Sequence, residues 1–162
     1  HLVYAGQAEA GLELVAAVQA RHDGVRRNPW NEVECGHHYA RSMASWAVLL
    51  ALSGFSCDVS AGLLAFAPAL PGPFRGFFSA GTGWGSYSQH EAGAGLRCEL
   101  QVDEGLVRLG ELRLPGAAGT VAVTRNGASI PATLAPAPQG VALRFEPQLE
   151  LGAGDVLAVF LS

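Results

Sequence analysis

Glu32, Glu34, His37, His38 and Arg41 gather two carboxylates, two imidazoles and a guanidinium at the start of a segment whose remaining length is apolar. A helix is expected to begin near Glu34 or Cys35, and from there Glu34, His37, His38 and Arg41 fall at helical spacing on one face. Glu32 and Arg41 together suit a sugar, because a carboxylate and a guanidinium are planar groups that make charge-assisted hydrogen bonds to adjacent hydroxyls. The same residues fit a plainer arrangement, in which Glu32 or Glu34 caps the helix and pairs with Arg41. A metal is disfavoured: Cys35, His37 and His38 would have to converge on one point, and adjacent histidines on a helix diverge by about 100°.

Two further patterns are weaker. Gly81-Thr82-Gly83-Trp84-Gly85-Ser86 has the glycine spacing of a phosphate loop but lacks the lysine and a following helix. It is not a serine-nucleophile elbow either, since no partners accompany it. Its glycines permit tight turns, and Trp84 is read first as a packing residue and second as an aromatic face for a sugar ring.

The elements that must position these groups follow from periodicity and turn chemistry. A first helix is expected over about Gln7 to His22, stopped by Asp23-Gly24, and a second helix runs to Ser53, ended by a left-handed Gly54 with Phe55 folding back. The second helix is apolar on more than one side and is expected to be buried on both flanks. From Gly62 the texture becomes strand-like: Leu63 to Phe66, Leu96 to Val102, Val107 to Leu114, Val141 to Phe145 and Val156 to Leu161 are separated by Gly, Pro and acidic turns. Val121 to Arg125 meets Ala128 to Ile130 across Asn126-Gly127, a strong hairpin signal.

The segment Asn28-Pro29-Trp30-Asn31-Glu32-Val33-Glu34, then Gly36-His37-His38-Tyr39-Ala40-Arg41-Ser42-Met43-Ala44-Ser45, resembles the signature of glycoside hydrolase family 116, the β-glucosidase and non-lysosomal glucosylceramidase family. A second block, Leu64-Ala65-Phe66-Ala67-Pro68 followed by Phe77-Phe78-Ser79-Ala80-Gly81-Thr82-Gly83-Trp84-Gly85-Ser86-Tyr87-Ser88-Gln89, is similar to the family's segment after its barrel. The resemblance implies an α+β fold class: the last helices of an (α/α)6 barrel over residues 1–60, a post-barrel β segment over 61–90, and an antiparallel β-sheet or small sandwich over 91–162. It implies that Glu32 and Arg41 contact glucose hydroxyls, while Glu34 keeps its capping role.

The two catalytic carboxyl groups of a retaining glycosidase, about 5 Å apart, are then expected upstream, in a missing barrel and β-sandwich of the same protein. Asp23, Glu32, Glu34 and Asp58 are therefore not read as catalysts. The expected parent is a β-glucosidase-like hydrolase of β-linked glucosides that needs no cofactor, with this chain supplying part of the sugar subsite and inactive by itself. The alternative is a non-catalytic carbohydrate-binding or scaffold module.

Composition narrows the partners. With 162 residues the chain has length enough for a sizeable core. A net charge of −4, with ten basic residues that are all Arg, argues against nucleic acid and anionic membranes. The mean hydropathy of +0.24 is high for a free-standing domain and fits a piece with one face meant for packing. Ser42 to Cys57 is shorter than the ~20 residues that span a bilayer, so no transmembrane segment is expected. Cys35, Cys57 and Cys98 suggest neither a disulfide framework nor zinc. The compartment stays open, with the cytoplasm slightly favoured.

Overall fold

The computed structural model describes residues 1–28, 43–117 and 119–162, the side chains of 43–45 excepted. Two compact units divide the chain, His1–Leu52 and Ser53–Ser162.

The first unit carries helix α1 (Ala8–Gln19) and most of α2 (Met43–Ser53). Helix α1 ends three residues before the sequence predicts, because Asp23 organises the exit: its Oδ1 accepts from the backbone N–H groups of Val25 (3.0 Å) and Arg26 (2.8 Å). Helix α2 stops where expected. Gly54 takes φ 57°, Ser53 Oγ accepts from Phe55 N–H at 3.2 Å, and a Cβ on Gly54 would lie 2.2 Å from the Ala67 carbonyl oxygen. Only glycine fits that approach. Trp46 and Leu50 of α2 are exposed, contrary to a helix buried on both flanks.

The second unit is β throughout. Its strands are β1 (Ser56–Asp58), β2 (Leu63–Ala65), β3 (Phe74–Ser79), β4 (Gly83–Ala92), β5 (Gly95–Leu114), β6 (Val121–Arg125), β7 (Ala128–Ser129), β8 (Thr133–Ala137), β9 (Gly140–Gly152) and β10 (Val156–Leu161). They form two leaves joined through β5. One leaf has the order β3-β4-β5-β10-β6-β7, and the other β1-β2-β5-β9-β8. The first half of β5 pairs with β4 and β10, the second half with β2 and β9. Between them Gly105 sits at φ 80°, where an added Cβ would lie 2.3 Å from the Thr82 carbonyl oxygen. The acidic Asp103-Glu104-Gly105 stretch is therefore a bend within one strand, not the turn between two strands that its composition suggests.

Alternation along each strand sends one face inward. Tyr87, Leu100, Val102, Leu157 and Val159 from one leaf and Phe66, Leu109, Leu112, Leu143 and Leu151 from the other belong to a single buried core. Tyr87 stacks on Phe66 with ring centroids 4.0 Å apart, and its hydroxyl is held by Gln89 Oε1 at 2.8 Å. Phe55 folds into the same core beside Phe66 and Phe78.

The expected α+β class, with the last helices of an (α/α)6 barrel, is thus corrected. Among the described residues there are two short helices and ten strands, and the sheet is mixed, with β2 parallel to β5. The physical reason lies in segment length and texture: two helical segments of eleven and twelve residues match core helices of many architectures, whereas the long alternating runs after Gly54 can only be strands.

Candidate functional site: the outer face of the first leaf

The outward positions of β3, β4 and β5 differ from an ordinary solvated sheet face. Register places Phe77 beside Ser86, Ser86 beside Gln101, and Gln101 beside Val156. The next row runs Arg75, Ser88, Glu99, Ala158. Small residues on β4 and β10 leave a trough between the longer side chains of β3 and β5. It is lined by Arg75, Ser86, Ser88, Glu99, Gln101 and Val156 and is an open trough with a cavity volume of about 270 Å³.

At one end of the trough stands an aromatic pair. Trp84 lies opposite Ser79, so Phe77 and Trp84 are diagonal neighbours across β3 and β4, within reach of each other on one face. Their ring centroids are 5.9 Å apart at 40°, yet the residues remain 42% and 43% exposed. Such a large apolar surface left on a strand face that is otherwise polar is the informative departure. Beside Trp84 a second, shallow hollow of about 230 Å³ is bounded by Ser79, Thr82 and Glu104. Its rim is fixed: Thr82 Oγ1 donates to the Leu106 carbonyl oxygen at 2.7 Å, and Leu106 N–H donates to the Thr82 carbonyl oxygen at 3.1 Å.

Charge on this face is largely spoken for. Glu99 Oε1 accepts from Arg97 Nε (3.0 Å) and Nη2 (2.7 Å), and Gln101 Nε2 donates to Asp103 Oδ1 at 2.9 Å. The Gln101 side-chain Oε1 remains as an acceptor. Among the described residues the Arg75 guanidinium and the Glu104 carboxylate make no hydrogen bond or ion pair.

Other carboxylates do structural work. Asp155 accepts from Arg125 Nη2 (2.6 Å), Asn126 Nδ2 (2.6 Å) and the Gly152 backbone N–H (2.8 Å), and these bonds, Arg125 first, hold its pKa down to about 2. Glu111 is shared by Arg144 (2.9 Å) and Arg113 (2.7 Å), which lower its pKa in that order. Two further hollows lie at the other leaf, one near Val59, Leu64 and Arg108 and one near Phe66, Arg113 and Pro138. Their arginines are already committed, Arg108 to Glu150 at 3.0 Å and Arg113 to Glu111.

Glu32 and Arg41, the pair singled out in the sequence, lie outside the described residues, as do Glu34, Cys35, His37 and His38. Among the described residues no three His, Cys, Asp or Glu side chains come together as a metal site. No described helix is long and apolar enough to cross a membrane. The glycine-rich run forms the Ala80–Gly83 turn and the start of β4, so it is no phosphate loop. Trp84, read first as packing, is half exposed. Arg75, Glu99, Gln101 and Glu104 escaped the sequence reading, although the shared parity of Trp84, Ser86 and Ser88 marks one face of one strand.

No family model matches the chain, and no curated protein matches it. Solved structures similar to the chain include two glycoside hydrolases. One is a glycoside hydrolase family 127 β-arabinofuranosidase, 17% identical, with 84% of this chain and 22% of that chain covered and a TM-score of 0.43. The other is a family 127 β-L-arabinofuranosidase from Geobacillus stearothermophilus T6, 18% identical, with 90% and 22% covered and a TM-score of 0.40. This chain therefore spans about a fifth of the length of the structures it matches. Both are glycoside hydrolases, but of a family different from the one expected. The resemblance to family 116 is corrected accordingly, and these neighbours lend no support to the β-glucosidase and glucosylceramidase type drawn from it. That resemblance rested on two long blocks, Asn28 to Ser45 and Leu64 to Gln89, whose order in the chain does not by itself fix the architecture around them.

Proposed function

We propose that the chain is a carbohydrate-contacting, non-catalytic part of a glycosidase-type protein, with the outer face of β3, β4 and β5 as its contact surface. The observation that carries this reading is the exposed Phe77–Trp84 pair set against Glu104 and a trough of small and planar polar groups. Carbon–hydrogen faces of a sugar ring are apolar and its rim is all hydroxyl. An aromatic face beside hydrogen-bonding side chains matches both, as binding sites that pair apolar walls with a few placed polar groups do. The nearly balanced charge of the face disfavours nucleic acid, which needs a basic footprint.

Affinity electrophoresis through gels containing hydroxyethyl cellulose, xylan or arabinan tests the reading. The chain is expected to be retarded in at least one of them, and Trp84→Ala is expected to weaken binding at least about tenfold, or ~1.4 kcal/mol. A chain that runs unretarded in all three overturns it.

Glu32 and Arg41 belong to the same proposal as a second contact, on the chemistry of their paired planar groups. Arg41→Ala is expected to cost about 1.5–3 kcal/mol of sugar binding if its hydrogen bonds are charge-assisted. Unchanged affinity in that variant returns the pair to helix capping.

A further inference from the structure

We infer that this face takes an extended, uncharged oligosaccharide, lying across β3, β4 and β5 and engaging the aromatic pair and the polar trough at once; the inference rests on the carbohydrate reading above. Length comes first. From Trp84 to Ser88 the strand advances four residues, about 13 Å, and from β3 to β5 the sheet spans two strand spacings, about 10 Å. A single sugar ring, comparable in size to one aromatic side chain, covers either the Phe77–Trp84 end or the Arg75–Gln101 end, but not both. The two ends lie on one continuous face with no bulky side chain between them, because the intervening outward position on β4 is Ser86.

Charge then selects the class. Arg75 and Arg97 stand against Glu99, Asp103 and Glu104, so the face has no positive excess to hold a uronate, sulfate or phosphate chain. Arg97 is already spent on Glu99, and the Gln101 amide on Asp103. What remains for a ligand is the Gln101 side-chain Oε1, the Ser86 and Ser88 hydroxyls, the Arg75 guanidinium and the Glu104 carboxylate. Such a mixture of donors and acceptors suits hydroxyl groups, each of which is both.

Calorimetric titration of the full chain with cello-oligosaccharides and arabino-oligosaccharides of one to six units, and with oligogalacturonates of equal length, tests the inference. In one neutral series affinity is expected to rise at least tenfold from the monosaccharide to the tetrasaccharide and then level off. Gln101→Ala is expected to shrink that gain, and Ser88→Leu, which fills the trough, to remove it. A monosaccharide that binds as tightly as the tetrasaccharide overturns the extended site while leaving carbohydrate binding intact. Tighter binding of oligogalacturonate overturns the uncharged class. Absence of binding in every series overturns both the inference and the reading beneath it.

Discussion

Trp84 stands on the outer face of β4, so removing its indole takes away contact area without opening a cavity in the core. Trp84→Ala is therefore expected to leave unfolding stability within about 0.5 kcal/mol of the parent, and a denaturant melt run beside the binding assay separates the two effects. Asp155 behaves oppositely. Its folded pKa, about 2, lies below the ordinary 3.8, so its bonds to Arg125, Asn126 and Gly152 stabilise the fold at neutral pH and are lost as pH falls from about 4 through 2. Asp155→Asn is expected to lower stability at pH 7 by about 1–2 kcal/mol, discounted for partial exposure of the pair. The same change should flatten stability against pH below 4, which melts at stepped pH would show.

The cysteines divide in the same way. Burial pushes the Cys98 thiol up to about 11, the Tyr87 hydroxyl at 3.3 Å offsetting only part of that, while Cys57 is exposed. A thiol reagent at pH 8 is expected to modify Cys57 in the folded protein and Cys98 only after unfolding, as mass spectrometry of labelled peptides would reveal. Nothing in the sequence set Cys98 apart from Cys57, and the hydrogen bond from Tyr87 was not legible either, since eleven residues and a turn separate them and only strand register brings them together.

Gly105 shows what element-scale reading grasps and what it misses. Asn126-Gly127 is legible because a two-residue turn needs positive φ at both positions, and both residues have it, at 51° and 82°. Gly54 is legible for a similar reason, as the residue after an apolar helix. Asp103-Glu104-Gly105 carries the same composition as a turn, yet it lies inside β5, because each half of that strand finds partners in a different leaf. Pairing between distant strands decides this, and no local window contains it. Gly105→Ala would force a left-handed backbone and a Cβ against the Thr82 carbonyl oxygen, so a loss of at least about 2 kcal/mol is expected in denaturant melts. A substitution tolerated without loss would mean that β5 does not bend there.

At the scale of the whole molecule, residues 53–162 contain their own core and their own pairing network. That segment expressed alone is expected to unfold cooperatively, with a midpoint matching that of the β unit in the full chain. The strand-rich character of this part was legible from alternation after Gly62, which left β1 unread. The barrel expected ahead of it rested on two blocks, Asn28 to Ser45 and Leu64 to Gln89, and what fails there is the step from local motif to global architecture, because tight glycine turns and apolar helices recur in unrelated folds.

Glycan contact on the outer face of the first leaf is the step on which the proposed function stands. Amide chemical-shift mapping of the isotope-labelled chain, titrated with whichever neutral oligosaccharide binds in calorimetry, tests it most directly. The largest shifts are expected in Arg75–Ser79, Trp84–Ser88 and Glu99–Glu104, and are expected to vanish in Trp84→Ala. Shifts clustered on the β8–β9 leaf or in the helices, or persisting undiminished in Trp84→Ala, would contradict it.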